Sequence, residues 1–205
     1  MKRTLSLITV LPLLLILVAC SEAPKTVQKK EPPPPPAPIA GREAFYKMFP
    51  AARTWAKDAE PLELISIRLE GVPEVRGKAA AWQASFVSQT TGKKKSWTYS
   101  VIEGPGNLHK GVFAGLEEGY SKTGQAEPWN VAALKTETDE VLQAAMPKAA
   151  EYDKKNPGKP ITFLLQKTKR HPNPSWRVIW GESVGTSNFS IFVDASTGKY
   201  LETAR

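Results

Sequence analysis

The feature that most constrains the fold of this 205-residue chain is an internal repeat in the order of its predicted elements. Residues 43–60 carry apolar side chains at helical spacing, and three segments that read as strands follow them. These strands cover residues 62–70, 78–88 and 95–103. The same order recurs over residues 136–155, 161–169, 175–183 and 187–195. Such a pattern indicates either two copies of one unit or two unrelated α+β halves that look alike.

Individual residues also keep their place in the two halves. Pro50 matches Pro147, Trp55 matches Tyr152 and Leu64 matches Ile161, each 97 residues apart, while Trp82 matches Trp176 at 94 and Trp97 matches Phe189 at 92. The offset shortens only across loops, as length changes in a diverged tandem duplication do. A proline inside both helices indicates a shared kink or a shared restart of the helix.

The repeat predicts an α+β fold of two similar units, each a helix packed on a three- to four-stranded antiparallel sheet. Short turns between consecutive strands favour antiparallel pairing, and one helix covers one apolar sheet face. The first unit, the connector and the second unit are expected at residues 41–115, 116–135 and 136–205. An additional edge strand is expected near residues 108–113. We expect the second helix to open at Thr136, which has Asp139 three residues on.

The N-terminal segment, residues 1–19, reads as a lipoprotein signal peptide. Lys2 and Arg3 form a positive region, and residues 7–18 form an apolar stretch. This stretch is shorter than the roughly 20 residues that span a bilayer. The segment leads into Leu17, Val18, Ala19 and Cys20, which resemble the lipobox of bacterial lipoproteins.

Cys20 is the only cysteine, which excludes an internal disulfide and a site of several cysteine ligands. We expect it to be the lipid-modified N-terminus of the mature protein, with the three preceding residues recognised by the signal peptidase. Several acyl chains anchor a protein more firmly than one. Ser21 resembles the signal for the outer membrane, facing the periplasm, if the source has two membranes. The alternative is an ordinary secretory signal with a chance cysteine.

Residues 20–40 form a proline-rich linker without hydrophobic periodicity. Five consecutive prolines, residues 32–36, favour polyproline II. Twenty residues in this conformation reach roughly 60 Å at about 3.1 Å per residue. The segment is therefore expected to be a stalk that lifts the following residues off the membrane, and the alternatives are a disordered spacer or a ligand for a proline-binding domain.

The C-terminal part of the chain resembles the PepSY family. The resemblance covers about residues 138–203 and rests on a tryptophan–x–valine strand followed by a strand that ends in a "VDA-x-TG" turn. These positions are Trp176, Val178, Val193, Asp194, Ala195, Thr197 and Gly198. Asp194 is suited to capping the turn, and Gly198 to a positive φ. The first half has "VIEGPG" at residues 101–106 in place of this turn.

The resemblance implies a cystatin-like helix-on-sheet fold. PepSY units occur in propeptides of secreted metallopeptidases and in cell-envelope proteins, where they are regarded as binding or inhibitory modules. The family pattern offers no catalytic residues, and Asp194, Thr197 and Gly198 are therefore expected to be structural. Partners implied by this reading are an envelope protein or peptide and the membrane, through the lipid anchor.

No constellation of catalytic or cofactor-binding residues is apparent in the sequence. His109 and His171 are the only histidines; each is expected on the surface, and neither has a second histidine at ligand spacing. The chain lacks a Gly-x-Ser-x-Gly elbow, a His-Glu-x-x-His helix and a phosphate-binding loop. We therefore expect that the protein is not an enzyme and that it binds neither a metal nor a cofactor. Most tryptophans alternate with polar residues and are expected in the core, with Trp129 at a seam between the units.

The formal net charge of +8 raises the question of an anionic partner. The candidate basic patch is Lys93, Lys94, Lys95, Lys167, Lys169 and Arg170. It is expected near hairpin tips, where it would face peptidoglycan, lipid headgroups or an acidic partner; the alternative is surface charge that protects sheet edges. Nucleic acid is disfavoured by the expected location.

The sequence thus favours a non-enzymatic, membrane-anchored envelope lipoprotein that binds a protein or peptide and acts sterically. Inhibition of a peptidase is one form of such binding. The expected mode of binding is the addition of a strand to a sheet edge. The alternative is a structural or assembly factor that contacts peptidoglycan through its basic surface.

Overall fold

The computed structural model describes residues 36–204, which contain two α-helices and eight strands. Helix α1 (Gly41–Trp55) precedes β1 (Glu60–Ile67), β2 (Ala81–Ser88), β3 (Lys93–Ser100) and β4 (Gly111–Gly119). Helix α2 (Thr138–Lys155) precedes β5 (Ile161–Gln166), β6 (Ser175–Trp180), β7 (Ser190–Asp194) and β8 (Tyr200–Ala204). Both predicted helices and all six predicted repeat strands overlap observed elements. The predicted edge strand is β4, which begins later than expected.

The eight strands form one antiparallel sheet in the order β4-β3-β2-β1-β5-β6-β7-β8. The prediction of two helix-on-sheet units is therefore wrong, because β1 of the first half pairs with β5 of the second. In separate units, β1 and β5 would each be an edge with a row of unpaired backbone N–H and C=O groups. Pairing of residues 63–65 with residues 164–166 satisfies the central groups of both edges, and within residues 36–204 it leaves β4 and β8 as the edges of the sheet.

The seam between β1 and β5 is close to self-complementary. Leu64 lies opposite Leu165 and Ile65 opposite Leu164. One residue further, the register brings Ser66 to Phe163, whose N–H donates to the Ser66 Oγ at 2.9 Å. Ser66 and Phe163 are 97 residues apart, which is also the repeat offset around the helices. Equivalent positions therefore meet at this one pair, as they do at the centre of a strand interface in a two-fold symmetric dimer.

Both helices cover the same face of the sheet and share one core. α1 packs on β1 to β3, and α2 packs on β6 to β8. The apolar cluster beneath them runs across the seam without interruption and includes Phe45, Met48, Trp82, Phe163, Trp176, Trp180 and Ile191. The rings of Trp82 and Trp176 meet at 6.3 Å between centroids. Trp129 is buried against Phe45 of α1, with 5.7 Å between ring centroids.

The prolines of the repeat lie inside helices that continue past them. Pro50 and Pro147 are both exposed, so water can bond the carbonyl that each ring leaves without a donor. The helices do not restart at these prolines, which leaves a shared kink as the remaining prediction. Over residues 36–204, neither helix combines the length and the apolarity that crossing a membrane requires.

The N-termini of the two helices meet at one carboxylate. Glu137, the N-cap of α2, accepts from the Thr138 N–H at 3.1 Å. The same carboxylate accepts from the first-turn N–H groups of Arg42 at 2.7 Å and Glu43 at 3.2 Å in α1. The prediction that α2 opens at Thr136 is therefore wrong. The capping box is formed by Glu137 and Glu140, one residue later than the predicted pair.

Candidate binding site

The outermost strand β4 is the most exposed element of the sheet. Eight of its nine residues, Gly111–Gly119, are exposed to solvent. One side of β4 pairs with β3, and within residues 36–204 no strand pairs with the other side. Backbone N–H and C=O groups that point away from β3 are therefore available to a further strand.

Apolar side chains on β4 are exposed as well. Leu116 keeps 88% of its surface accessible, Phe113 46% and Val112 41%. A leucine so exposed contributes almost nothing to the core. Three exposed apolar residues on a strand whose outer side is unpaired form an apolar edge. We name residues 112–116 the β4 edge.

A bulge directs Leu116 outward. Lys95 lies opposite Glu117, but two residues along β3, Trp97 lies opposite Ala114. β4 therefore has one extra residue here, and a strand bends and twists at such a point. Gly115 fits the bulge because a Cβ at this position would approach the Ser96 carbonyl oxygen at 3.2 Å.

Both ends of the β4 edge contact neighbouring side chains. The Trp55 indole N–H at the end of α1 donates to the Glu117 carboxylate at 2.7 Å. Ahead of the edge, the His109 ring packs on Phe113 with 4.4 Å between centroids. The His109 Nδ1 lies 3.1 Å from a carboxylate oxygen of Glu103. The edge therefore contacts α1 at one end and residues 103–109 at the other.

The opposite edge of the sheet is less accessible. β8 has five residues, Tyr200–Ala204, and four of them are partly buried. The Tyr200 ring is covered by Lys148 of α2, whose ammonium nitrogen lies 5.2 Å from the ring centroid. β4 is therefore the better candidate for strand addition.

The residues of the predicted basic patch lie at one end of the sheet in two groups. Lys93, Lys94 and Lys95 open β3, whereas Lys167, Lys169 and Arg170 follow β5. β2 and β1 stand between the two groups, so they do not form one cluster.

Most of the positive charge in these groups is met by neighbouring carboxylates. Lys93 pairs with Glu117 at 3.9 Å, Lys94 with Glu118 at 3.2 Å, Lys167 with Glu127 at 3.6 Å, and Arg170 with Glu202. Lys95 instead lies over the Trp97 ring, 5.6 Å from its centroid. The ion pairs of Lys93 and Lys94 link β3 to the edge strand β4.

The "VDA-x-TG" residues form the turn between β7 and β8. The Asp194 carboxylate accepts from the N–H groups of Ser196 and Thr197, each at 2.8 Å. Gly198 has φ 69° and donates its N–H to the Asp194 carbonyl at 2.9 Å. Burial raises the pKa of Asp194, but the hydrogen bonds from Asn173, Ser196 and Thr197 outweigh it and hold the pKa below its usual value.

The two histidines differ in exposure. His109 is exposed, as predicted, but the His171 side chain keeps only 12% of its surface accessible, so the prediction of a surface histidine is wrong there. His171 is covered because its ring packs on Phe192, with 5.2 Å between centroids, and its Nε2 faces Glu202 at 3.1 Å. Within residues 36–204, no three His, Cys, Asp or Glu side chains group as metal ligands.

A pocket of about 470 Å³ lies near the seam, where Ser66 and Phe163 line it. Five of its seven charged side chains bind one another, and the other two are Lys78 and Lys159. Arg68 contacts Glu74 at 2.6 Å and Glu182 at 3.7 Å, and Arg76 contacts Asp153 at 3.2 Å. Most of these charges are compensated within the protein, and we do not assign a ligand to this pocket.

The predicted lipidation site, Cys20, and the recognition residues Leu17, Val18 and Ala19 lie outside the described residues. The sequence also did not single out Phe113 and Leu116. The sequence signal for these two residues is a short run of apolar residues interrupted by glycines, which does not alternate as a half-buried strand does. This run indicates an edge strand only once the neighbouring strands are known.

No protein-family model, curated protein or solved structure matches this chain. The resemblance of residues 138–203 to PepSY units therefore stays a prediction, which rests on the tryptophan–x–valine strand and the turn described above.

Proposed function

We propose that this protein is a lipid-anchored, non-enzymatic binding module of the bacterial cell envelope that captures an extended segment of a partner protein at the β4 edge. The observation that carries the proposal is the exposure of Val112, Phe113 and Leu116 on a strand whose outer side is unpaired. The lipobox at Cys20 and the proline-rich linker support an anchored module held away from the membrane.

The mechanism is strand addition. Main-chain N–H and C=O groups of β4 bond the incoming strand and supply affinity, while side chains on the two faces supply specificity. Val112 and Phe113 point to opposite faces, so a partner strand with apolar residues on both faces fits best.

A secreted peptidase is the first partner class to test, because PepSY units are known from peptidase propeptides. Binding at the β4 edge would act sterically, with no covalent bond made or broken. The alternative, a structural factor that contacts peptidoglycan through the basic patch, draws less support because Lys93, Lys94, Lys167 and Arg170 already contact glutamates.

The test is site-specific photocrosslinking in cells that produce the full lipoprotein. A crosslinking residue replaces Val112, alone or together with Leu116→Lys or Val184→Lys. Val184 is a matched control because it is also an exposed aliphatic residue, 39% accessible, but lies in the loop between β6 and β7. We expect one discrete partner protein, with Leu116→Lys lowering its yield at least about tenfold and Val184→Lys leaving it unchanged.

A Cys20→Ala version tests the anchor, and we expect it to lose the same product. Equal yields with Leu116→Lys and Val184→Lys would overturn the β4 edge as the site. A product that contains only a second copy of the chain would show self-pairing of β4 and overturn the capture of a partner protein.

A further inference from the structure

A second pocket, of about 380 Å³, opens on the face of the sheet that the helices do not cover. In β6, Trp176 and Val178 belong to the core beneath the helices, so Ser175 and Arg177 point to the opposite face. There Arg177 lies between Leu164 of β5 and Phe192 of β7 in the sheet register. The rim is supplied by residues 124–125 and 168–170.

Arg177 is a half-buried cation without a carboxylate partner. Its Nε donates to the Ser190 Oγ at 2.9 Å, and its guanidinium lies 5.3 Å from the centroid of the Phe192 ring. Among residues 36–204, no Asp or Glu oxygen lies within 4.0 Å of this guanidinium. Burial and the nearby charge of Arg170 lower the pKa of Arg177. A partly desolvated cation favours an anionic ligand that restores its lost interactions.

The surrounding acidic residues are occupied by other partners. Arg170 covers the Phe192 ring at 4.8 Å but binds Glu202. Glu63 accepts from the Gln166 amide, and Asp194 is held by its own turn. Within residues 36–204, no Asp or Glu lines the pocket, whereas Lys169, Arg170 and Arg177 do. The pocket therefore has positive charge that nearby protein acids do not neutralise.

We propose that this pocket binds a small organic carboxylate, with the carboxylate on the Arg177 guanidinium and the apolar part of the ligand on Leu164 and Phe192. A guanidinium presents two parallel N–H groups that match a carboxylate. The apolar residues and the volume of the pocket favour an organic body over inorganic phosphate alone. The carboxylate belongs to a free acid or to the C-terminus of a peptide.

This inference does not depend on the β4 edge. Five steps across the sheet separate β4 from β6, which is roughly 24 Å at about 4.8 Å per strand. Loss of binding in the pocket and loss of crosslinking at β4 are therefore separate outcomes.

The test is isothermal titration calorimetry on the full chain in a nonionic detergent. The probes are benzoate, the tripeptide acetyl-Ala-Ala-Phe with a free C-terminus, the same tripeptide as its amide, and inorganic phosphate. We expect at least one carboxylate to bind more tightly than the amide and phosphate. Tighter binding of the tripeptide acid than of benzoate identifies a peptide end, and the reverse order identifies a free acid.

Variants locate the binding. Arg177→Gln should lower the affinity for the carboxylate probe at least about tenfold, because a charge-assisted hydrogen-bonded pair is lost. Arg177→Lys keeps the charge but not the two parallel N–H groups, so its affinity for the carboxylate should lie between that of the original protein and that of Arg177→Gln. Arg53→Gln, an exposed site on α1, is the control and should bind as the original protein does. Far-UV circular dichroism checks the fold of each variant, and Arg177→Lys carries the test if Arg177→Gln does not fold.

Equal affinity of the original protein and a folded Arg177 variant would overturn the proposal. It would also fail if the amide or phosphate bound as tightly as the acids, or if no carboxylate bound at about 10 mM.

Discussion

The two tryptophans at equivalent places in the repeat, Trp82 and Trp176, differ in one hydrogen bond. Both side chains are fully buried, on β2 and β6. The Trp82 indole N–H donates to the Ile39 carbonyl at 3.0 Å, whereas among the described residues the Trp176 indole N–H has no partner. Both tryptophans therefore fill the core, but only Trp82 also ties the residues that precede α1 to the sheet.

This difference predicts unequal costs for one substitution. Trp82→Phe should lower the free energy of unfolding by at least about 1 kcal/mol more than Trp176→Phe, because only the first loses a hydrogen bond. In Trp82→Phe the Ile39 carbonyl still accepts a hydrogen bond from the Ala79 N–H at 2.9 Å. The loss of stability therefore stays near the value of a single hydrogen bond. Urea unfolding of both variants measures the difference. Equal losses, or a larger loss for Trp176→Phe, would contradict the assignment.

At the scale of elements, helix α1 begins with help from the other half of the chain. The N-cap of α1 is Ala40, which has no side chain for capping. Thr138 of α2 instead accepts from the Gly41 N–H at 2.9 Å, and Glu137 accepts from the next two N–H groups. Two positive helix ends thus share one carboxylate. Gly41 is required at this meeting point because a Cβ would lie 2.8 Å from Thr138 and from Trp176.

The shared cap predicts that Glu137 matters more than an ordinary capping residue. Glu137→Ala should cost about 2 kcal/mol, the upper end for the loss of a cap, because both helices lose their acceptor. Glu140→Ala is the matched control, since it removes only the reciprocal bond of the capping box and should cost about 0.5 kcal/mol. The measurement is urea unfolding followed by circular dichroism. Similar costs for the two variants would show that Glu137 caps α2 alone.

At the scale of the whole molecule, the seam makes the two halves depend on each other. The β1–β5 pairs, the contact of Trp82 with Trp176 and the shared cap all join residues of different halves. The apolar cluster continues through this region, so neither half has a core that closes by itself. Cooperative unfolding of both halves follows from this continuity.

We therefore expect one unfolding transition for residues 36–204. Phe45→Ala on α1 should cost about 3–5 kcal/mol, because it empties part of the shared core. Hydrogen exchange followed by mass spectrometry should then show faster exchange in β2 and also in β6 of the other half. Faster exchange in the first half alone, with β6 unchanged, would show that the halves unfold independently.

The candidate site was only partly predictable. The sequence predicted an additional strand near residues 108–113, and β4 covers Gly111–Gly119. The sequence also led to the proposal of strand addition, which stays a prediction. The exposure of Leu116 did not follow, because it depends on the bulge opposite Ser96 and on β4 lying outermost. The pocket around Arg177 did not follow either, since it combines side chains of three strands with residues 124–125 and 168–170.

The sequence by itself determined the elements and their order, because alternation and helical spacing are local properties of the chain. It also predicted the turn at Asp194 and Gly198, whose hydrogen bonds lie within a few residues. Only the tertiary structure decided that the halves share one sheet. Strands with the same alternation pair equally well within a unit or across a seam, and the choice depends on which edges meet in space. The charge balance of Arg177 and the cap at Glu137 were decided in the same way, by neighbours that are distant along the chain.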